Sequence, residues 1–223
     1  ERRKSRKMCK KEELFNEFDR QLMESSRPSI YFNELYAKSN LFIEDYPFTM
    51  LGDLKKIEQS PKYHPEGNVW NHTMQVVDAG AFHRHKSRDP RVFMWSALLH
   101  DLGKAPTTKR RKGRITAYDH DRVGAKMAED FLKELTDDRK FIDKIKKMVR
   151  WHMQILYVVK DLPFANIESM LEEVSPREIG LLGLCDRLGR QPMSDERIAE
   201  EYGYVKIFME KCQEYGRKKE GRV

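Results

Sequence analysis

Trp95-Ser96-Ala97-Leu98-Leu99-His100-Asp101-Leu102-Gly103-Lys104 is the stretch on which the reading of the chain turns. With Pro90 ahead of it, in the first-turn position that accepts proline, it predicts a helix that is apolar on nearly every side. Such a helix is a buried one. It then runs into a His-Asp pair, a glycine and a lysine. Adjacent titratable groups at the end of a buried helix cost free energy unless they are paired or hold a metal. His100-Asp101 therefore needs a reason.

Outward from this core helix, apolar residues recur at helical spacing almost everywhere. Leu14, Phe15, Phe18 and Leu22 mark a helix over about 10–23. Ile30, Tyr31, Leu35 and Tyr36 mark a shorter one behind Pro28. Val69, Thr73, Val76, Val77 and Gly80 mark one over about 69–85. Further helices are predicted around Val123–Leu135, Phe141–Trp151, Asn166–Glu173, Pro176–Leu188 and Ser194–Tyr215. No period-2 strand is convincing, and the fold class is all-α. The irregular segment 40–66, punctuated by Pro47, Pro61 and Pro65, divides a small N-terminal helical extension, residues 1–60, from a main domain, residues 61–223.

The 223 residues suffice for one substantial domain with a small appendage. No apolar run reaches the roughly 18 residues of a membrane span, and no signal-peptide pattern opens the chain. Cys9, Cys185 and Cys212 form no metal-type pair and read as reduced thiols of a cytoplasmic protein. The net charge of +7 is concentrated in three runs: Arg2–Lys7, Lys109–Arg114 and Arg217–Arg222. The terminal runs are read as solvated tails. The middle run, just past the His-Asp pair, suits an anionic substrate or RNA, with a solvated loop as the bland alternative.

Six ionisable residues fall on or beside buried helical faces: His72, His100, Asp101, His120, His152 and Asp186. A lone histidine there is usually a hydrogen-bonded core residue. Six from five segments are another matter, because helical bundles build metal sites from inward-facing histidines and carboxylates. Four imidazoles with two carboxylates suit a divalent transition metal (Fe, Mn, Co or Ni, with Mg possible) rather than a thiolate zinc site. A two-oxygen carboxylate can bridge two ions, which suits Asp101 to the centre of a two-metal site for phosphoester hydrolysis.

The order His72, His100-Asp101, His120, His152, Asp186 resembles the HD-domain superfamily of metal-dependent phosphohydrolases in its six-ligand form. The local contexts agree: Asn71-His72-Thr73, Leu99-His100-Asp101-Leu102-Gly103-Lys104, His120-Asp121-Arg122-Val123-Gly124, Trp151-His152 and Cys185-Asp186-Arg187. A wider likeness takes in Arg27-Pro28-Ser29-Ile30-Tyr31-Phe32, His64-Pro65-Glu66-Gly67 through His72-Thr73, and Asp186-Arg187-Leu188-Gly189-Arg190. It is similar to the C-terminal part of bacterial tRNA nucleotidyltransferases that carry an HD domain. Asp119-His120-Asp121 is formally Asp-x-Asp but sits inside the HD motif with no nucleotidyltransferase head around it, so CCA addition is not carried over.

The resemblance implies an HD-domain helical bundle with His72, His100, Asp101 and Asp186 on one ion and Asp101, His120 and His152 on a second. Some members bind a single ion and use the equivalent histidines for substrate phosphate. It implies hydrolysis of nucleotide or RNA-end phosphoesters, of the 2′,3′-cyclic phosphodiesterase, 2′-nucleotidase or phosphatase type, by metal-bound hydroxide. Competing readings are a dinucleoside polyphosphate or nucleoside monophosphate hydrolase, a non-catalytic nucleotide- or tRNA-binding module, and a piece of a larger tRNA-processing protein.

Lys104 would place a point charge on phosphate, or else satisfy helix-end carbonyls. Arg187 and Arg190 would clamp the phosphate, orient Asp186, or pair elsewhere. His64 reads as a turn-stabilising residue that could also line the pocket mouth, and His83 and His85 as exposed residues without a role. Trp70, Trp95 and Trp151 read as core, with base stacking open to Trp70.

Overall fold

A computed structural model of the chain describes residues 2–221, with side chains from 10 to 219 and at 221. The architecture is an all-α bundle. Its helices are α1 (Arg2–Glu24), α2 (Pro28–Lys38), the single turns α3 (Leu41–Glu44) and α4 (Thr49–Gly52), α5 (Val69–His83), α6 (Pro90–Leu99) and the turn α7 (Lys104–Thr107). After these come α8 (His120–Lys133), α9 (Arg139–Trp151), α10 (Gln154–Val159), α11 (Ile167–Glu173), α12 (Pro176–Leu188) and α13 (Asp195–Glu220). No described helix is long and apolar enough to cross a membrane. The side chains of the Arg2–Lys7 run and of Cys9, together with Arg222, lie outside the described residues.

α6 sits in the middle because its sequence leaves it no polar face: every residue from Val92 to Leu99 is buried. Asp89 caps its first turn, accepting from Val92 N, and Pro90 fixes the entry. α1, α5, α9 and α12 surround it. Phe15 stacks on Trp95 with ring centroids 5.0 Å apart, and Asp19 accepts from both Trp95 Nε1 (2.8 Å) and Arg91 Nε (2.7 Å). α2 is tied to α5 by Ser29, whose N–H and hydroxyl donate to Asp78, and by Trp70 Nε1, which donates to Asn33 at 2.8 Å. Trp70, Trp95 and Trp151 are thus buried with their indole N–H groups satisfied, the last on Glu173. Trp70, being buried, stacks no base.

Two expectations are corrected. Residues 109–116 form a β-hairpin, β1 (Lys109–Arg111) against antiparallel β2 (Arg114–Thr116), with Arg110 opposite Ile115. Lys112 (φ 48°) and Gly113 (φ 76°) both take positive φ, the two-residue turn that matches strand twist. His83 is buried rather than exposed: its Nδ1 meets the Ala79 carbonyl and its Nε2 the Tyr202 hydroxyl at 2.7 Å, joining α5 to α13.

Candidate metal centre

The site is assembled by the ends of helices. His72 lies in α5. His100 and Asp101 follow the last turn of α6. His120 opens α8, His152 closes α9, and Asp186 lies in the last turn of α12. All six are at most 8% exposed. Two glycines allow the approach. A Cβ on Gly103 would lie 2.0 Å from the His120 carbonyl oxygen and 2.5 Å from Gly124 N, so only glycine lets α8 start against the His-Asp turn. A Cβ on Gly189 would meet Val76 at 2.5 Å, and its absence lets α12 end beside His72.

Three of the histidines are held alike. His100, His120 and His152 each place Nδ1 within 2.6–2.9 Å of the carbonyl three residues earlier, those of Ala97, Ala117 and Val149. An Nδ1–H donated there leaves the Nε2 lone pair free. All three Nε2 atoms point inward, buried and without a hydrogen-bond partner. Asp101 lies between them: its Oδ2 is 3.2 Å from His100 Nε2 and 3.7 Å from His72 Nε2, and its Oδ1 is 3.5 Å from His120 Nε2 and 3.8 Å from His152 Nε2. The same Oδ2 lacks an aligned hydrogen bond, although Lys104 Nζ makes an ion pair with it at 2.7 Å.

This donor set fits a divalent ion. At metal–ligand distances near 2.1 Å, two atoms on one ion stand about 3–4 Å apart, which is the spacing around Asp101. The triads His72, His100, Asp101 and Asp101, His120, His152 each bring ligand atoms within 4.8 Å of one another, and they share the aspartate. Asp186 joins the first triad through His72 Nε2, 2.9 Å from its Oδ1.

The electrostatics agree. Burial alone would raise the Asp101 carboxyl, but its polar neighbours His100, Lys104 and His120 outweigh it and hold the group well below the usual carboxylate range. Asp186 is likewise held down, against its burial, by Arg190 and His72. Burial pushes His152 down to about 4, helped by His120 and His100, so its imidazole is neutral near pH 7.

Glu66, present in the sequence as part of the His64-Pro65-Glu66-Gly67 stretch but without a role there, belongs to this centre. The buried carboxylate of Glu66 lies 2.7 Å from His72 Nδ1, which also donates to the Gly189 carbonyl at 3.1 Å. A carboxylate on the far nitrogen of a ligand histidine fixes the ring and raises its basicity. Glu66 also takes His64 Nδ1 at 2.8 Å, and the resulting group of His64, Glu66 and His72 is a third cluster with ligand-type spacing. His64 therefore both braces its turn and lines the cavity. The sequence signal for Glu66 is its place between His64 and His72, two residues after the one and six before the other.

The remaining predicted residues divide. Lys104 donates to Gln59 Oε1 at 2.8 Å and stands beside Asp101, at the site. Arg190 lines the cavity with Nη2 3.5 Å from Asp186, and its Nε is buried without a partner. Arg187 is not brought to the site: it is buried against Glu201 at 2.7 Å and lies over the Tyr204 ring, between α12 and α13. Over the ligands opens a cavity of about 570 Å³, reached past the hairpin through Thr108, Ile115 and Thr116. Arg110 anchors the hairpin to Glu58 at 2.7 Å, while Lys109, Arg111, Lys112 and Arg114 are exposed.

Comparison with known proteins agrees with this geometry. The family model for the HD domain matches residues 69–190, the span that contains all six candidate ligands. The chain is 30% identical over 194 residues to the "Multifunctional CCA protein" of Aromatoleum aromaticum, covering 82% of this chain and 44% of that one. It is 29% identical over 160 residues to the protein of the same name from Alkalilimnicola ehrlichii, covering 65% and 36%. For that of Halorhodospira halophila the identity is 34% over 97 residues, covering 44% and 22%. The chain spans less than half the length of each of these relatives.

Proposed function

The chain belongs to the HD domain family of metal-dependent phosphohydrolases, and from that premise we propose that it hydrolyses phosphoesters of nucleotides or RNA ends, as a 2′,3′-cyclic phosphodiesterase, 2′-nucleotidase or phosphatase. The observation that carries the reading is the set of buried, unpartnered Nε2 atoms of His100, His120 and His152 around Asp101. Orphaned polar atoms cost stability unless a ligand satisfies them. We assign His72, His100, Asp101 and Asp186 to one divalent ion and Asp101, His120 and His152 to a second. Such ions, when bound, supply an acidified water and neutralise charge on the phosphoester oxygens.

The chain's own groups do the rest. Glu66 and three backbone carbonyls hold the imidazoles in the tautomer that presents Nε2. Lys104 and Arg190 stand where a phosphate oxygen would enter, the first as a point charge and the second as a planar donor. The exposed cations of the hairpin would meet the phosphates of an RNA end. The likeness to proteins named for CCA multifunctionality supports the RNA-end reading and does not extend to their whole activity.

The deciding experiment is metal analysis of the purified protein, paired with assays of 2′,3′-cyclic AMP and a 2′-nucleotide under Ni, Co, Mn and Mg. Two ions per chain and metal-dependent cleavage are expected. A metal-free protein that turns over neither compound under any ion overturns the proposal.

A further inference from the structure

Exposed aromatic rings gather at one place. Tyr118 is 66% exposed, Phe164 60% and Tyr63 58%, and all three line the cavity whose floor holds Asp101, His120 and Asp186. One exposed ring is ordinary, but three around the mouth of a single charged cavity are not.

Two of these rings are held in fixed relation to the ligands. Tyr118 comes directly before Asp119, whose positive φ of 59° turns the chain into α8 and delivers His120. Phe164 sits between α10 and α11 in a loop gripped by the buried Gln154. That side chain donates to the Phe164 carbonyl at 3.3 Å and accepts from Asn166 N at 2.8 Å. Tyr157 backs the Phe164 ring, with centroids 5.5 Å apart. Tyr118 and Phe164 also wall an adjoining cleft of about 440 Å³, so they border open space on that side as well.

The cavity is graded from end to end. Its floor carries Lys104 and Arg190, and its rim carries Tyr118, Phe164 and Leu156. A ligand anionic at one end and flat and aromatic at the other matches that gradient, and the volume is that of a small-molecule site. We propose that Tyr118 and Phe164 form a base-stacking subsite, through which the protein selects nucleoside phosphoesters over phosphoesters of small alcohols. This rests on the reading of the floor as a phosphoester site. Stacking uses the face common to every base, so the subsite tolerates base identity.

The test titrates adenosine 2′-phosphorothioate and glycerol 2-phosphorothioate, slowly hydrolysed analogues with and without a base, onto the Mn2+-loaded protein. The unaltered chain should prefer the nucleoside by about tenfold or more, the scale of one base on one ring. Tyr118→Ala and Phe164→Ala should each remove most of that preference, and Tyr118→Phe should retain it. Guanosine and uridine analogues should bind within a few-fold of the adenosine one. A chain without preference, or a preference untouched by both alanine variants, overturns the subsite. Hydrolysis of the unmodified esters is scored separately. Absent turnover with an intact preference sinks the hydrolase reading alone, and turnover without preference sinks the subsite alone.

Discussion

Glu66 and Gly103 act on the site from opposite sides, one by supplying an oxygen and the other by withholding a carbon. Glu66 accepts from His72, a candidate ligand, without entering the cavity floor, so Glu66→Gln should leave the fold intact. It should weaken metal binding roughly 10- to 100-fold, the usual loss when such a partner is removed. Competition with a chelator of known affinity would measure this, and unaltered metal affinity in the variant would refute the positioning role. Gly103→Ala puts a methyl group 2.0 Å from a backbone oxygen. Neither helix can give by that much, so its cost should reach or exceed the roughly 1–3 kcal/mol of ordinary overpacking. The denaturation midpoint should fall accordingly. A variant as stable as the parent would mean that α8 does not begin where Gly103 permits.

At the scale of elements, α8 and α9 carry His120 and His152 and are joined by ion pairs. Arg150 meets Asp121 at 2.7 Å, and Glu129 meets Lys146 at 2.8 Å and, within α8, Lys133 at 2.6 Å. Hydrogen bonds from Lys133 and Lys146 hold the Glu129 carboxyl down to about 2, from an ordinary 4.5. A lowered folded-state pKa contributes stability that is complete above about 4.5 and is lost as pH falls toward 2. Glu129→Gln should therefore cost up to about 1 kcal/mol at pH 7, an amount limited by solvent and salt. The difference from the parent should shrink below pH 4.5, and a gap that persists at pH 2 would contradict the pairing.

Legibility in the sequence followed the same physics. α6 could be read because a helix without a polar face has nowhere to go but inside. The six residues of the buried His-Asp cluster could be read because ionisable groups on apolar faces stand out. The hairpin was hidden: five of its eight residues are cations, so the alternation was invisible, and Lys112 is not the residue that usually announces a turn of positive φ. Arg187 was misleading because proximity in sequence to Asp186 says nothing of direction. Its guanidinium points to Glu201, 14 residues on in α13.

Over the whole molecule, the candidate centre is where α5, α6, α8, α9 and α12 meet. Ions held there would cross-link five segments beyond the packing, hydrogen bonds and ion pairs that already join them, and binding to the folded state only is stabilising by mass action. At free metal 100 times the dissociation constant each ion adds about 2.7 kcal/mol. For a chain of this length that should raise the melting temperature by about 5–10 °C per ion. Asp101→Ala removes the carboxylate common to both triads and should abolish the rise, whereas Arg187→Ala, which leaves all six ligands in place, should start from a lower melting temperature and still show it. Scanning calorimetry of metal-stripped and reloaded samples separates these cases. An equal rise with and without Asp101 would mean that the ions bind somewhere other than the His-Asp cluster, and both the assignment of ligands and the reading of the cavity floor would fall with it.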